Sequence, residues 1–272
     1  MKNIPKKLHM YWDKGPMSKL QVFTVETFHR LNPDWEITVY VPQQIYTKPE
    51  KYIPDYTGVD FFDLLSKMSY VNIVSIDMNA YGISCDLHNI LRSDILRYHL
   101  LYTEGGIWSD FDVIWFKPLD HLSSIIGDSN FMSVICTLEN RPKAPMLHNI
   151  SILISAPKQK LYKDLIDKCS FIQANLKGRS PNHQEFGTCM WNNMFSNSTA
   201  ITKNYPGVVN VDYSTYFPYP IYQMERLYKQ VDLSVINDQV MCEHWFNGHI
   251  LSKEYVNLDL FNNPKHNCSM TE

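Results

Sequence analysis

No run of apolar residues in this 272-residue sequence approaches the ~18 needed to cross a bilayer as a helix, so the sequence predicts no integral membrane segment. The opening MKNIPKKLHMYW lacks the apolar stretch of a secretory signal, which makes the cytoplasm the expected location. Charge of one sign is not in excess either. Lys and Arg number 25 against 28 Asp and Glu, a formal net charge of −3, which excludes the electrostatic footprint of a nucleic-acid-binding protein. A negatively charged ligand must then be held by local groups. There is no CxxC pair: Cys85, Cys136, Cys169, Cys189, Cys242 and Cys268 stand singly and read as reduced, small hydrophobes of the core. Internal repeats and low-complexity tracts are also missing, which favours one domain over an array.

What is present is a strand and helix alternation. Residues 4–12 read as a strand closed by the turn residues Asp13, Lys14, Gly15 and Pro16, residues 18–31 as a helix ended by Asn32-Pro33, and residues 36–41 as a second strand. That order is a βαβ unit and begins a parallel sheet. Residues 42–70 are irregular with a helix near 61–68, and 70–77 reads as a strand. The strongest helix spans 85–104, and 107–116 follows as one extended segment. Strands at 131–138, 150–156, 208–211 and 240–246, with helices at 161–174 and 186–195, complete the expectation. The fold class is α/β, a mostly parallel central sheet flanked by helices, in a single domain. Residues 1–120 form its ligand-binding half and 121–272 a less regular half that would meet an acceptor.

Two carboxylates carry the first chemical signal. On extended backbone Asp110 and Asp112, two residues apart, point to the same side. Carboxylates aimed at one point repel, and burying both is costly unless a cation lies between them. The apolar flanks Ile107, Trp108, Phe111, Val113, Ile114 and Trp115 set the pair at the edge of a core, where a divalent cation such as Mn²⁺ or Mg²⁺ would suit it. A solvated turn is the plain alternative. In the preceding helix, at about 100° per residue, Leu87, Ile90, Leu91, Tyr98 and Leu101 fall on one arc. Asp94 sits in the middle of that arc and Arg97 at its edge. A carboxylate on an apolar stripe needs a partner. An internal Asp94–Arg97 ion pair would supply one, and sugar hydroxyls facing both side chains would supply another. Gly105-Gly106 allows the sharp reversal that brings helix and carboxylates into one cleft.

The run Ser93-Asp94-Ile95-Leu96-Arg97-Tyr98, then Leu101-Tyr102, Gly105-Gly106-Ile107-Trp108 and Asp110-Phe111-Asp112, resembles the DXD-containing sugar transferases of glycosyltransferase family 32 in the broad sense. These include capsular polysaccharide enzymes, the yeast initiating mannosyltransferase and, distantly, the clostridial glucosylating toxins. The opening Ile4-Pro5-Lys6-Lys7-Leu8-His9-Met10-Tyr11-Trp12 and Asn32-Pro33-Asp34-Trp35-Glu36 extend the likeness over roughly the first 120 residues. The resemblance implies a GT-A fold with a Rossmann-like nucleotide-binding sheet. It also implies a nucleotide-sugar donor (a UDP-sugar favoured, a GDP-sugar the alternative), a glycan, lipid-linked or protein acceptor, and retention of anomeric configuration. By position it makes His9, Trp12 and Trp108 donor contacts, with Trp12 near the base. Asp94 and Arg97 would hold the donor sugar and serve catalysis with Asp112. Asp110 would touch the ribose or the metal, and Asp112 would ligate Mn²⁺ or Mg²⁺. His244, in Glu243-His244-Trp245, would be a third metal ligand, although Phe246-Asn247-Gly248-His249 replaces the Ser-Trp that commonly follows. Asn149 and Gly187-Thr188 fall near the acceptor side. Two rivals remain at this point. One is a phosphotransferase using the first Asp as nucleophile, which expects a continuous apolar strand directly before the motif. The other is a silent carbohydrate-binding relative, which expects decay of Asp94, Arg97, Asp110 or Asp112.

Overall fold

A computed structural model describes residues 1–13, 15–44, 56–138, 147–263 and 265–271. Lys14 of the first turn and part of the irregular stretch read over 42–70 lie outside the described residues. Strand β1 (Lys7–Tyr11) leads through helix α1 (Lys19–Leu31) to β2 (Glu36–Pro42), the βαβ unit read from the sequence. Ser18 starts α1 because its side chain accepts the Gln21 backbone N–H while the Gln21 side chain accepts that of Ser18, a reciprocal cap. The short α2 (Phe62–Ser66) precedes β3 (Val71–Ile76). Helix α3 (Asn89–Thr103) then runs into β4 (Gly106–Ser109), and β5 (Val113–Trp115) follows. Beyond these come α4 (His121–Ile126), β6 (Ser133–Leu138), β7 (Leu147–Ser155), α5 (Lys160–Ala174), α6 (Thr188–Met194), α7 (Ser198–Asn204), β8 (Val208–Val211), α8 (Met224–Tyr228), β9 (Cys242–His244) and α9 (Ile250–Asn257).

Seven strands form one sheet in the order β3-β2-β1-β4-β7-β6-β8. The β1–β2, β1–β4, β2–β3 and β6–β8 pairs are parallel, while β7 runs antiparallel to both β4 and β6. The sheet is therefore mostly parallel with one reversed strand, and it is covered on both faces. Leu8, Met10, Ile107, Ile152 and Ile154 pack with Val22, Val25 and Phe28 of α1. Trp108 and Leu153 pack on the other face with α3 and α5. This in-and-out alternation on a doubly covered sheet follows from the two-residue period of a strand.

Two expectations change. The helix expected from residue 85 starts at Asn89, where the His88 side chain accepts the Ile90 N–H. Leu87 is buried ahead of the helix, and Ile90, placed on the apolar arc by the wheel, is 44% exposed. The single extended segment expected over 107–116 is two strands belonging to different sheets: β4 ends at Ser109, and β5 pairs antiparallel with β9. The DXD residues thus occupy the crossing between sheets, not a continuous strand. Where the chain leaves α3, Gly105 (φ +71°) and Gly106 (φ +94°) both take left-handed backbone. A side chain on Gly106 would run into the Lys7 carbonyl at 2.5 Å, so glycine is what lets β4 close on β1.

Candidate active site

Hydrogen bonds from three parts of the chain pin the backbone of the DXD crossing. The Asp110 N–H donates to the Ser151 carbonyl of β7 (2.9 Å), the Thr24 hydroxyl of α1 donates to the Phe111 carbonyl (2.6 Å), and the Trp245 N–H donates to the Asp112 carbonyl (2.9 Å). Each aspartate is aimed by a different part of the chain.

On one flank, Asp112 meets β9. Its Oδ1 lies 3.1 Å from His244 Nε2, and its Oδ2 accepts the Asn247 backbone N–H at 2.8 Å. Phe246 adopts a left-handed φ of +49°, uncommon for a bulky residue, and this turn presents the Asn247 N–H. Its ring packs edge-on against His244 with centroids 4.3 Å apart. Burial alone would raise the Asp112 carboxyl, but the adjacent His244 imidazole and the Asn247 N–H take it below the usual carboxylate range. Burial would likewise lower His244, and Asp112 takes it above the ordinary imidazole value. One ligand atom each from Asp110, Asp112 and His244 lie within 4.8 Å of one another. Two carboxylates and an imidazole are a donor set suited to a divalent cation of the Mn²⁺ or Mg²⁺ type.

On the other flank, Arg97 gathers the groups of α3. Its Nη2 pairs with Asp94 Oδ1 at 2.8 Å, the i, i+3 ion pair considered above, and its Nη1 faces Asp110 Oδ1 at 3.5 Å. Nη1 also donates to the Ile150 carbonyl (2.7 Å) and Nη2 to the Ser93 hydroxyl (3.1 Å). The guanidinium lies 4.8 Å over the Trp108 ring, whose Nε1 donates to Asp110 Oδ1 (2.8 Å). Burial, opposed by Arg97 and assisted by Asp110, pushes the Asp94 carboxyl up to about 7. Asp94 Oδ2 accepts no hydrogen bond from the described residues. Side-chain exposure grades across the site, from 5% at Asp94 and 4% at Arg97 to 15% at Asp112 and 32% at Asp110.

Residues 18–132 match the family described as the glycosyltransferase sugar-binding region containing the DXD motif. Over this span the chain is similar to the DXD-containing glycosyltransferases. The initiation-specific alpha-1,6-mannosyltransferase of Candida albicans is 26% identical over 152 residues, covering 53% of this chain and 34% of that protein. The Saccharomyces cerevisiae protein of the same name is 56% identical over 32 residues, 12% of this chain and 7% of that one. The chain thus spans about a third of the first relative's length and less of the second's. Among solved structures the PaToxG glycosyltransferase superposes with a TM-score of 0.50 at 19% identity, covering 74% of each chain, and the shared architecture is the GT-A fold.

The structure brings Asp94, Arg97, Asp110, Asp112 and His244 together and treats three other sequence candidates differently. His9 is 1% exposed, and both its ring nitrogens are taken, Nε2 by the Gly105 carbonyl (2.8 Å) and Nδ1 by the Tyr40 hydroxyl (3.1 Å). It ties β1 to the glycine turn and has no ring nitrogen left for a ligand. Trp108, at 1% exposure, supports Arg97 and Asp110 from beneath and offers no open ring face to a donor. Trp12 remains half-buried, edge-on to Phe111 at 5.3 Å, with its Nε1 donating to the Gly15 carbonyl. Sequence reasoning missed Ser93, which its i, i+4 spacing to Arg97 could have revealed, and the Asn247 N–H, which no side-chain pattern signals.

Proposed function

We propose that the protein is a metal-dependent glycosyltransferase of the cytoplasm that moves a hexose from a nucleotide-sugar onto a hydroxyl acceptor. The donor is a UDP-sugar, with a GDP-sugar as the alternative, and the acceptor is a glycan, a lipid-linked sugar or a protein. The observation that carries this reading is the convergence of Asp110, Asp112 and His244 within 4.8 Å, next to the Arg97–Asp94 pair. Among the described residues no helix is long and apolar enough to cross a membrane.

Asp112, Asp110 and His244 would hold Mn²⁺ or Mg²⁺, which when bound supplies charge neutralisation to a donor diphosphate. The remaining work falls to the chain's own side chains. His244 would turn its Nε2 from Asp112 to serve as a third ligand, while the Asn247 N–H holds the Asp112 carboxylate in place. Asp94 Oδ2, without a donor of its own, accepts a sugar hydroxyl. Arg97 fixes Asp94 from the side and, through Asp110, ties the sugar end of the site to the diphosphate end. Holding the ring in this way orients its anomeric carbon for in-line approach and lowers the entropic part of the barrier. Among the described residues no carboxylate other than these stands in the cluster as a nucleophile, so transfer with retention would use the departing phosphate oxygen to take the acceptor proton on the same face.

The test is incubation with UDP- and GDP-hexoses, with and without Mn²⁺, while nucleoside diphosphate release is followed. Release that requires the metal is expected. Metal-independent release, or liberation of inorganic phosphate from phosphate esters in its place, would overturn the reading.

A further inference from the structure

Gly187 stands just before α6, and its surroundings are unusually tight. A Cβ placed on it would lie 2.8 Å from Asp94 Oδ2 and 2.8 Å from Ile150 Cδ1, closer than side-chain carbons approach such atoms. Its backbone has no room to retreat. The Phe186 carbonyl before it accepts the Tyr98 hydroxyl (2.9 Å), and that hydroxyl in turn accepts Trp191 Nε1 (2.9 Å). Thr188 after it donates to the His148 carbonyl (2.9 Å). The segment is therefore clamped to α3 on one side and to β7 on the other.

The clamp has a consequence for Asp94. The last torsion of an aspartate side chain is soft and roughly two-fold, so a single contact does not fix the plane of its carboxylate. Arg97 holds Oδ1 at 2.8 Å, and Oδ2 lies 2.8 Å from where a Cβ on Gly187 would stand. We propose that Gly187 is a positioning residue for the donor sugar: it fixes the Asp94 carboxylate from behind, so that Oδ2 meets a sugar hydroxyl in one orientation. This rests on the reading of Asp94 as the sugar-binding carboxylate. A methyl group at 187 must push Asp94 or Ile150 aside, and the Ile150 carbonyl is also the acceptor for Arg97 Nη1.

The experiment compares Mn²⁺-supported binding of UDP or GDP alone with that of the matching nucleotide-hexose, by calorimetry, in the wild type, Gly187→Ala, Asp94→Ala and the double variant. The wild type must first bind the hexose conjugate differently from the bare diphosphate; if it does not, the parent reading fails and Gly187 is not at issue. Gly187→Ala is expected to leave nucleoside diphosphate affinity within about twofold and to lose roughly tenfold of the sugar-dependent affinity. The same substitution should lower Tm more when Asp94 is present than in Asp94→Ala, where only the collision with Ile150 Cδ1 remains. Should Gly187→Ala fold poorly, the same comparison in an Ile150→Val background removes the Cδ1 collision and isolates the one with Asp94. Retention of the sugar-dependent affinity in Gly187→Ala, or an equal loss of Tm with and without the Asp94 carboxylate, would overturn the proposal.

Discussion

The two flanks of the site hold the same side chain in opposite electrostatic states. Asp112 is held below the ordinary carboxylate range by His244 and the Asn247 N–H, whereas Asp94 is pushed up to about 7 by burial that Arg97 only partly offsets. The first environment keeps an anion ready for a cation. The second allows a carboxyl group to exchange a proton near neutrality and to share hydrogen bonds with hydroxyls. Environments that push titratable groups apart commonly separate their chemical roles, and here the separation runs from the β9 side of the site to the α3 side. Arg97 spans both, 2.8 Å from Asp94 and 3.5 Å from Asp110.

The largest expected effect tests that division directly. Asp112→Ala removes the partner of both His244 Nε2 and the Asn247 N–H, and it should cut metal-supported donor turnover by about 10²–10³-fold while leaving the fold intact. Mn²⁺ titration by calorimetry should show the loss in metal affinity. Asp94→Ala should impair turnover without weakening Mn²⁺ binding. Equal losses of metal affinity in the two variants would break the comparison, because both aspartates would then belong to one ligand set.

A smaller effect concerns stability against pH. The Asp94 carboxyl is raised in the folded protein to about 7, against about 3.9 in an unfolded chain, so the native state binds this proton more tightly. Its contribution is therefore complete below about pH 4 and is lost as pH rises through about 7. Relative to Asp94→Asn, the wild type should lose on the order of 4 kcal/mol of stability between pH 4 and pH 8 in urea titrations. Curves that run parallel over that interval would mean the carboxyl is not held near neutrality.

The half of the site on α3 and the DXD crossing was legible in the sequence, because a charged pair on an apolar stripe and two carboxylates at i, i+2 are visible side-chain patterns. The predicted geometry of the carboxylates was nevertheless mistaken. Asp110 and Asp112 do not share a strand; they converge because Ser151, Thr24 and Trp245 each hold one residue of the crossing. Those bonds join the crossing's backbone to partners far along the chain, and local periodicity is blind to them. The same holds for the Asn247 N–H, for Gly187 behind Asp94, and for His9, whose ring bridges β1, β2 and the glycine turn instead of facing a ligand. The mostly parallel sheet was readable from strand and helix alternation, but the reversal of β7 and the small β5–β9 sheet were not, since a short apolar run does not state its direction.

Helix α3 shows how far one wheel can be trusted, and it yields the smallest predicted effect. Ile90 and Leu91 are adjacent and both fell on the apolar arc, yet Ile90 is 44% exposed and Leu91 is 2% exposed. The wheel assumed a helix beginning before Leu87, but the His88 cap starts it at Asn89, so Leu87 lies off the helix and the arc counted from it misplaces Ile90. Leu91→Ala should then cost about 2–5 kcal/mol through lost burial and a residual cavity. Ile90→Ala should change stability by no more than about 0.5 kcal/mol, since alanine's better helix propensity offsets the little apolar contact removed. Urea midpoints of the two variants, measured beside the wild type, separate the cases. A loss of more than about 1 kcal/mol at Ile90 would mean that this first turn is covered in solution, and the exposed rim of the α3 flank would have to be redrawn.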